Sequence, residues 1–353
     1  MSIFDEVLKQ QHRVEARANA LSDEIISVLE AARADLTAQL ASLRVRFLTA
    51  ATWQEESLAR RKAFLEAQRA EVERLIGEIY RSKASVAFSA VLDTMLHVQS
   101  QTALQPRDKR IFFGLGSPLI DLATVQAWAE ATTIEGLTMT EWLARMAQSS
   151  ADKIVQAGRQ AMIEGMSVQQ TARLIRQKGI EGSRPQIESV ARTFLLSASN
   201  YAREKSLAAM GSDLDFSWLY VATLDGRTCP VCGVYDGKAF KKGEARPSLP
   251  QHINCRCCYV PDFGLGDVER AAVKESGRVV HHRDGSTSTA YTVESVEHVS
   301  ETYSEWISRQ VEEDPDFVRQ VLGKSRFELF KSGKISLNRM VVDGRIKKLA
   351  EFA

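Results

Sequence analysis

The chain has 353 residues, 44% hydrophobic and 26% charged, enough to bury two or three modest cores and so to form more than one structural unit. Its 46 basic side chains meet 45 acidic ones, so the summed charge makes no case for nucleic acid or an acidic membrane surface, and any such patch must be local. No stretch is apolar enough to span a bilayer, and "MSIFDEVLKQQHRVEARANA" lacks the unbroken apolar run of a signal peptide. The expected setting is the cytoplasm, where thiols stay reduced and clustered cysteines are metal ligands more often than disulfides.

Residues 1–105 contain no proline and a single glycine, Gly77. Apolar residues recur at helical spacing through Leu36, Leu40, Leu43 and Phe47, then through Leu58, Phe64, Leu65, Val72, Leu75, Ile76 and Ile79. The pattern predicts long amphipathic helices that pack one stripe against a partner, in this chain or on another protein, with a register that drifts too far for a coiled coil. Residues 106–123 read as a linker, where "QPRDKRIFFGLGSPLID" interrupts helix with prolines and glycines around an apolar loop or short strand.

Residues 124–215 return to helical patterning. Thr140 before Glu141 is a candidate cap, Ser167 and Gln170 have the spacing of a capping box, Gly179 is a stop signal, and a longer helix is expected from Ile187 to Met210. From 216 to 264 the period changes. "DFSWLYVATLDGRTC" is β-branched and aromatic up to Asp225 and Gly226, and "VYDGKAF" repeats the Asp-Gly signal at Asp236 and Gly237, so two hairpin turns are expected around short strands. Residues 265–353 offer a third hairpin turning at Asp284 and Gly285, then two or three short helices in "SETYSEWISRQVEE" and "DFVRQVLGKSRFELFKSG". The fold class expected is mainly α with a small zinc-stapled β module, an α+β arrangement.

All five cysteines fall between residues 229 and 258. Cys229 and Cys232 form a C-P-V-C-G knuckle whose two-residue spacer lets both thiolates face one ion. His252 and Cys255, three apart, would complete a tetrahedral Cys3His site for structural zinc; Cys257 is the rival for the fourth place, since it shares a side of an extended segment with Cys255. Five thiols and a histidine oversupply one ion, which argues for a closed site rather than a catalytic one with an open position. The bland alternatives are buried free cysteines or a redox pair, and no thioredoxin-like βαβ pattern supports the latter.

"WLYVATLDGRTCPVCGVYDGKAF" followed by "LPQHINCRC" resembles the signature of the phage head-morphogenesis, or Mu F-like minor capsid, family, and "VARTFLLSASNYAREK" resembles the helix that precedes it there. The resemblance covers about residues 140–262, is weaker over 305–335, and leaves the first hundred residues unmatched; Cys258 is an extra thiol beside the usual Cys-Arg-Cys. It implies a minor structural protein of a tailed-phage head, with the portal protein and other capsid proteins as partners, located in the virion after assembly in the host cytoplasm. Weak nonspecific contact with packaged DNA is compatible with it, and no membrane partner is implied.

Two rival functions arise from the residues themselves. A zinc-stapled HNH-type nuclease is suggested by His281 and His282 before a turn, but they follow the second ligand pair instead of lying between the pairs, and His298 is distant as a third ligand. The plain reading is a surface hairpin with one ring on each face. A zinc-ribbon nucleic-acid module is suggested by Arg227, Lys238, Lys241, Lys242, Arg246 and Arg256 against Asp225, Asp236, Glu244 and Asp262, a small basic excess. Gly114 and Gly116 complete no dinucleotide fingerprint, and no catalytic residues are assigned. The tail is sorted by charge: eight acidic residues against Arg309 over 294–316, then nine basic ones against Glu328 and Asp343 over 317–348. Either the two blocks neutralise each other, or the basic one faces an acidic partner.

Overall fold

The computed structural model describes residues 3–31, 58–103, 122–164, 166, 168–180, 184–209, 215–264, 270–281 and 287–352. The chain divides into two compact units, one of residues 12–102 and 118–202, the other of 1–11, 103–117 and 203–353. The architecture is helical with small antiparallel sheets, as the sequence pattern predicts.

The first of these units is built from long helices. Helix α1 (Ile3–Ala31) buries Val14, Ala18, Leu21, Ile25 and Leu29, and α2 (Leu58–Ala103) buries Val72, Ile76, Tyr80, Val91 and Met95. These are the three-and-four spacings of a single apolar stripe. They pack with α3 (Leu122–Ala131), α4 (Met139–Ile163), α5 (Val168–Leu174) and the Ile187, Phe194 and Leu195 face of α6 (Arg184–Ala209). Within the unit, the stripe on α2 is therefore turned to an intramolecular partner; Tyr80 shares a 3.1 Å hydrogen bond with Ser150 of α4. The apolar run from Leu36 to Phe47 and the expected linker as far as residue 121 lie outside the described residues, while its last two residues, Leu122 and Ala123, already belong to α3.

Local punctuation differs from expectation at two points. The cap of α4 is Thr138, whose hydroxyl accepts from Glu141 N while the Glu141 carboxylate accepts from Thr138 N at 2.7 Å. Thr140 is inside the helix, because Glu141 completes the reciprocal pair only with the residue three before it. Gly179 does not stop its helix: α5 runs on as a π-helical turn, Ile175–Ile180. A Cβ at Gly179 would overlap the Ile154 side chain, so the glycine serves close packing on α4. The proposed cap Ser167 is outside the described residues.

In the other unit a three-stranded antiparallel sheet runs in the order β2–β1–β3, with β1 Ser217–Val221, β2 Ala239–Lys241 and β3 Cys258–Asp262. Trp218 pairs with Phe240 and Pro261, and Val221 with Cys258. The pleat sends Trp218, Tyr220 and Tyr259 into one cluster with Cys232, Cys255 and Cys257, and sends Val221, Cys258 and Val260 into another with Val7 of α1. Adjacent cysteines 257 and 258 are thereby separated onto opposite faces.

The two Asp-Gly signals do not make hairpins. Between β1 and β2 the chain inserts a short helix, α7 (Pro230–Tyr235), so Asp225 and Gly226 lie in the bend before it and Asp236 and Gly237 in the turn after it. The third hairpin forms as β4 (Arg270–His281) against β5 (Thr287–Val299), with a register shift at Lys274 and Glu275; its turn, with Asp284, Gly285 and His282, is outside the described residues. Four short helices follow: α8 (Tyr303–Glu313), α9 (Pro315–Leu322), α10 (Lys324–Lys331) and α11 (Leu337–Met340). Gly323 at φ 75° divides the second predicted helix in two. Tyr303, Trp306, Ile307, Phe317, Val318, Phe327, Leu337 and Met340 form the core of this tail, joined by Leu224 and Ala272.

Candidate metal centre

Cys229 precedes α7, its sulfur accepting from Cys232 N at 3.4 Å, and Pro230 fixes the first helical position. One helical turn then places Cys232 on the same side. The second half arrives on the segment between the cis Leu249–Pro250 bond and β3. His252 Nε2 lies 3.2 Å from both Cys229 Sγ and Cys232 Sγ, and Cys232 Sγ lies 3.9 Å from Cys255 Sγ. Among the described residues, two groups of ligating atoms lie within 4.8 Å of one another, Cys229, Cys232 and His252 in one, Cys232, Cys255 and Cys257 in the other. They share Cys232. All five residues expected from the sequence thus converge.

Three edges of this cluster can be compared with those around a tetrahedral ion. Bond lengths of about 2.3 Å to sulfur and about 2.0 Å to nitrogen give S···S edges of about 3.8 Å and S···N edges of about 3.5 Å. The observed sulfur pair meets the first value, and His252 would move outward by a few tenths of an ångström to meet the second. His252 Nδ1 lies 2.6 Å from Ile253 O and carries the proton of that hydrogen bond, which turns Nε2 toward the two sulfurs; an ion held there would take the place of the Nε2 proton. The hydrogen bond to Cys229 pushes His252 up to about 9, and the Cys232 hydrogen bond leads the effects that draw Cys229 down to about 4. The hydrogen bond to Cys229 leads the effects that push Cys232 up in turn, so the negative charge is shared unevenly within the cluster.

Outer contacts were not foreseen. The Tyr220 hydroxyl accepts from Gln251 Nε2 at 2.7 Å and hydrogen-bonds Cys257, whose thiol is buried on the face of the sheet that clusters with Cys232 and Cys255. Asp225 and Asp236, read from the sequence as turn residues, are buried anchors. Asp225 takes both guanidinium nitrogens of Arg256, one at 2.6 Å, together with Arg227 N. Asp236 takes both nitrogens of Arg270, Ala222 N at 2.7 Å and Tyr303 N at 2.5 Å. Nothing local to the sequence marks Arg270, 34 residues beyond its partner.

The basic excess around the window shrinks accordingly. Arg256 is spent inside, and Arg246 pairs with Glu204 at 2.8 Å while stacking on Trp218 and Tyr259. His281 lies at the far end of β4, paired with Thr287.

Residues 152–260 match the family described as Phage Mu protein F like protein. This chain carries a Mu F-like segment. The match runs from within α4 to β3 and encloses every candidate ligand. No curated protein and no solved structure gives a match to the chain. The Mu F-like segment suggests a phage-head protein, with other head components as its partners.

Proposed function

We propose that this protein is a minor structural protein of a tailed-phage head, bound at the portal vertex, with a β module closed by one structural zinc ion. The reading is carried by one observation: the Mu F-like segment encloses two overlapping donor groups, Cys229, Cys232 and His252 in one and Cys232, Cys255 and Cys257 in the other, joined through Cys232. The ligands are Cys229, Cys232, His252 and Cys255. Both Cys255 and Cys257 lie beside Cys232; Cys255 is preferred because its sulfur stands 3.9 Å from Cys232 Sγ, near the tetrahedral edge, while Cys257 also hydrogen-bonds Tyr220. When bound, zinc supplies a fixed cross-link between α7 and the strand segment; His252 is oriented by Ile253 O, and the buried aromatic cluster of Trp218, Tyr220 and Tyr259 keeps water from the thiols.

The charge-sorted tail fits a partner-facing role. Its acidic residues are engaged near home: Arg309 holds Glu301 and Glu313, Arg319 holds Asp316, and Glu305 and Asp314 serve as helix caps. Of these pairs, Asp316 with Arg319 joins the acidic block to the basic one at their boundary, and the others lie within the acidic block. Lys324, Lys331, Lys334 and Lys348 remain exposed, a surface suited to a portal face or to DNA phosphates. Truncation after Val318 would remove core residues Leu322, Phe327, Leu337 and Met340, so charge reversal of these lysines is the cleaner probe.

The test is co-expression with the portal protein of the same phage, size-exclusion chromatography, and zinc analysis of the Cys255→Ser and Cys257→Ser variants. Co-elution with one zinc per chain, lost in Cys255→Ser and kept in Cys257→Ser, is expected. Free elution with metal-dependent cutting of plasmid DNA would replace the reading by the nuclease.

A further inference from the structure

We propose that α7 is a two-faced seat, so that metal loading on one face governs docking of the carboxy-terminal segment 302–340 on the other. The inference rests on the metal reading above and extends it to a part of the chain that contributes no ligand.

A six-residue helix cannot sustain itself, since nucleation costs more than so few hydrogen bonds return. Its support must come from what lies on either side. One side bears Cys229 and Cys232, facing His252. Gly233, about 100° further round the helix than Cys232, opens an adjoining side, where a Cβ would overlap the Tyr303 ring and come within 3.2 Å of Leu337 Cδ2.

Tyr303 clasps the helix at both ends. Its hydroxyl donates to Thr228 O at 3.0 Å, one residue before Cys229, and its backbone N–H donates to the Asp236 carboxylate at 2.5 Å, one residue after Tyr235. Arg270 closes the same carboxylate and donates to Glu301 O at 2.9 Å, which fixes the entry to α8. The clasp therefore fits only while residues 228 and 236 keep the separation that the intact helix sets. Losing the ion frees Cys229 and Cys232 from the strand segment and loosens that separation. Tyr303, Trp306 and Leu337 belong to one core cluster, so disturbance of the clasp reaches the whole tail. Coupling of this kind is reciprocal: what the metal does for docking, docking does for metal affinity, by the same factor.

The test uses the full chain under reducing conditions, with hydrogen exchange read by mass spectrometry before and after zinc is withdrawn by a chelator, and zinc content measured alongside. Amides of Tyr303–Met340 should exchange at least about tenfold faster after withdrawal, while those of Met139–Ile163 stay unchanged. Tyr303→Phe, which removes only the hydroxyl, should keep one zinc per chain yet release it to the chelator several-fold faster; Gly233→Ala should do the same more strongly. If zinc leaves and the 303–340 amides do not respond, or if Tyr303→Phe releases zinc at the parent rate, the coupling is wrong while the metal site stands. A folded parent chain that holds no zinc overturns the metal reading and the coupling together.

Discussion

In the helical unit the buried side chains are Val14, Leu21, Ile76, Met95, Ile154, Phe194 and their like, and buried hydroxyls such as Ser22 and Thr94 satisfy themselves on carbonyls four residues back. In the unit that carries the cysteines, the interior holds thiols, the carboxylates of Asp225 and Asp236, and the guanidiniums of Arg203, Arg256 and Arg270. The contrast follows from element size. Helices of 25 or more residues present long apolar stripes to one another, whereas strands of three to five residues cannot enclose an apolar core of comparable depth. The small sheet is held by directional bonds instead, and such bonds answer to metal, acid and single-atom changes.

The strongest way to sharpen the contrast is Cys232→Ser, which removes the thiol shared by both ligand groups. Structural zinc contributes roughly 10 to 16 kcal/mol of apparent binding free energy in small motifs, so residues 216–262 should lose their near-ultraviolet aromatic signal while the far-ultraviolet helical signal persists. Next is Asp236→Asn, which leaves Arg270 buried without its counter-charge; breaking a buried pair costs about 3 to 5 kcal/mol, visible as a lower denaturant midpoint for the tail. Leu195→Ala tests the other side. It should cost about 2 to 5 kcal/mol in the helical unit and leave zinc content at one per chain.

Acid separates the units more gently. Burial pushes Asp225 up, but the Arg256 hydrogen bonds outweigh it and hold the carboxyl below its ordinary value. A depressed carboxylate stabilises the fold above the unfolded value near 4 and loses that contribution as pH falls through the folded one. Tryptophan fluorescence of the cysteine-bearing unit should therefore change below about pH 4. The smallest effect belongs to Thr138→Ala, which opens the capping box of α4 at a cost of about 1 kcal/mol, read as a modest drop in melting temperature without change in zinc.

Elements governed by neighbours in sequence were legible. The apolar stripe of α2, the strands around the cysteine pair and the pairing within each half of the ligand set, Cys229 with Cys232 and His252 with Cys255 or Cys257, all rest on short spacings. What escaped depended on distant partners. Asp225 and Asp236 each precede a glycine, and locally that pattern means a turn; only arginines brought in from β4 and from the Cys255–Cys258 stretch make them buried acceptors. Thr138 was missed in favour of Thr140 because the decisive partner, Glu141, was counted from the wrong threonine.

Asp236 also sets an order on synthesis. The carboxylate leaves the ribosome 34 residues before Arg270 and 67 before the Tyr303 amide that complete its shell. Until both have emerged, a nascent chain that has folded its cysteine window must keep that charge in water or leave it buried and uncompensated. On the metal reading the window would capture an ion early yet reach its final state only when the tail has been translated, so a pause between residues 264 and 303 would hold a metal-bearing but unfinished module.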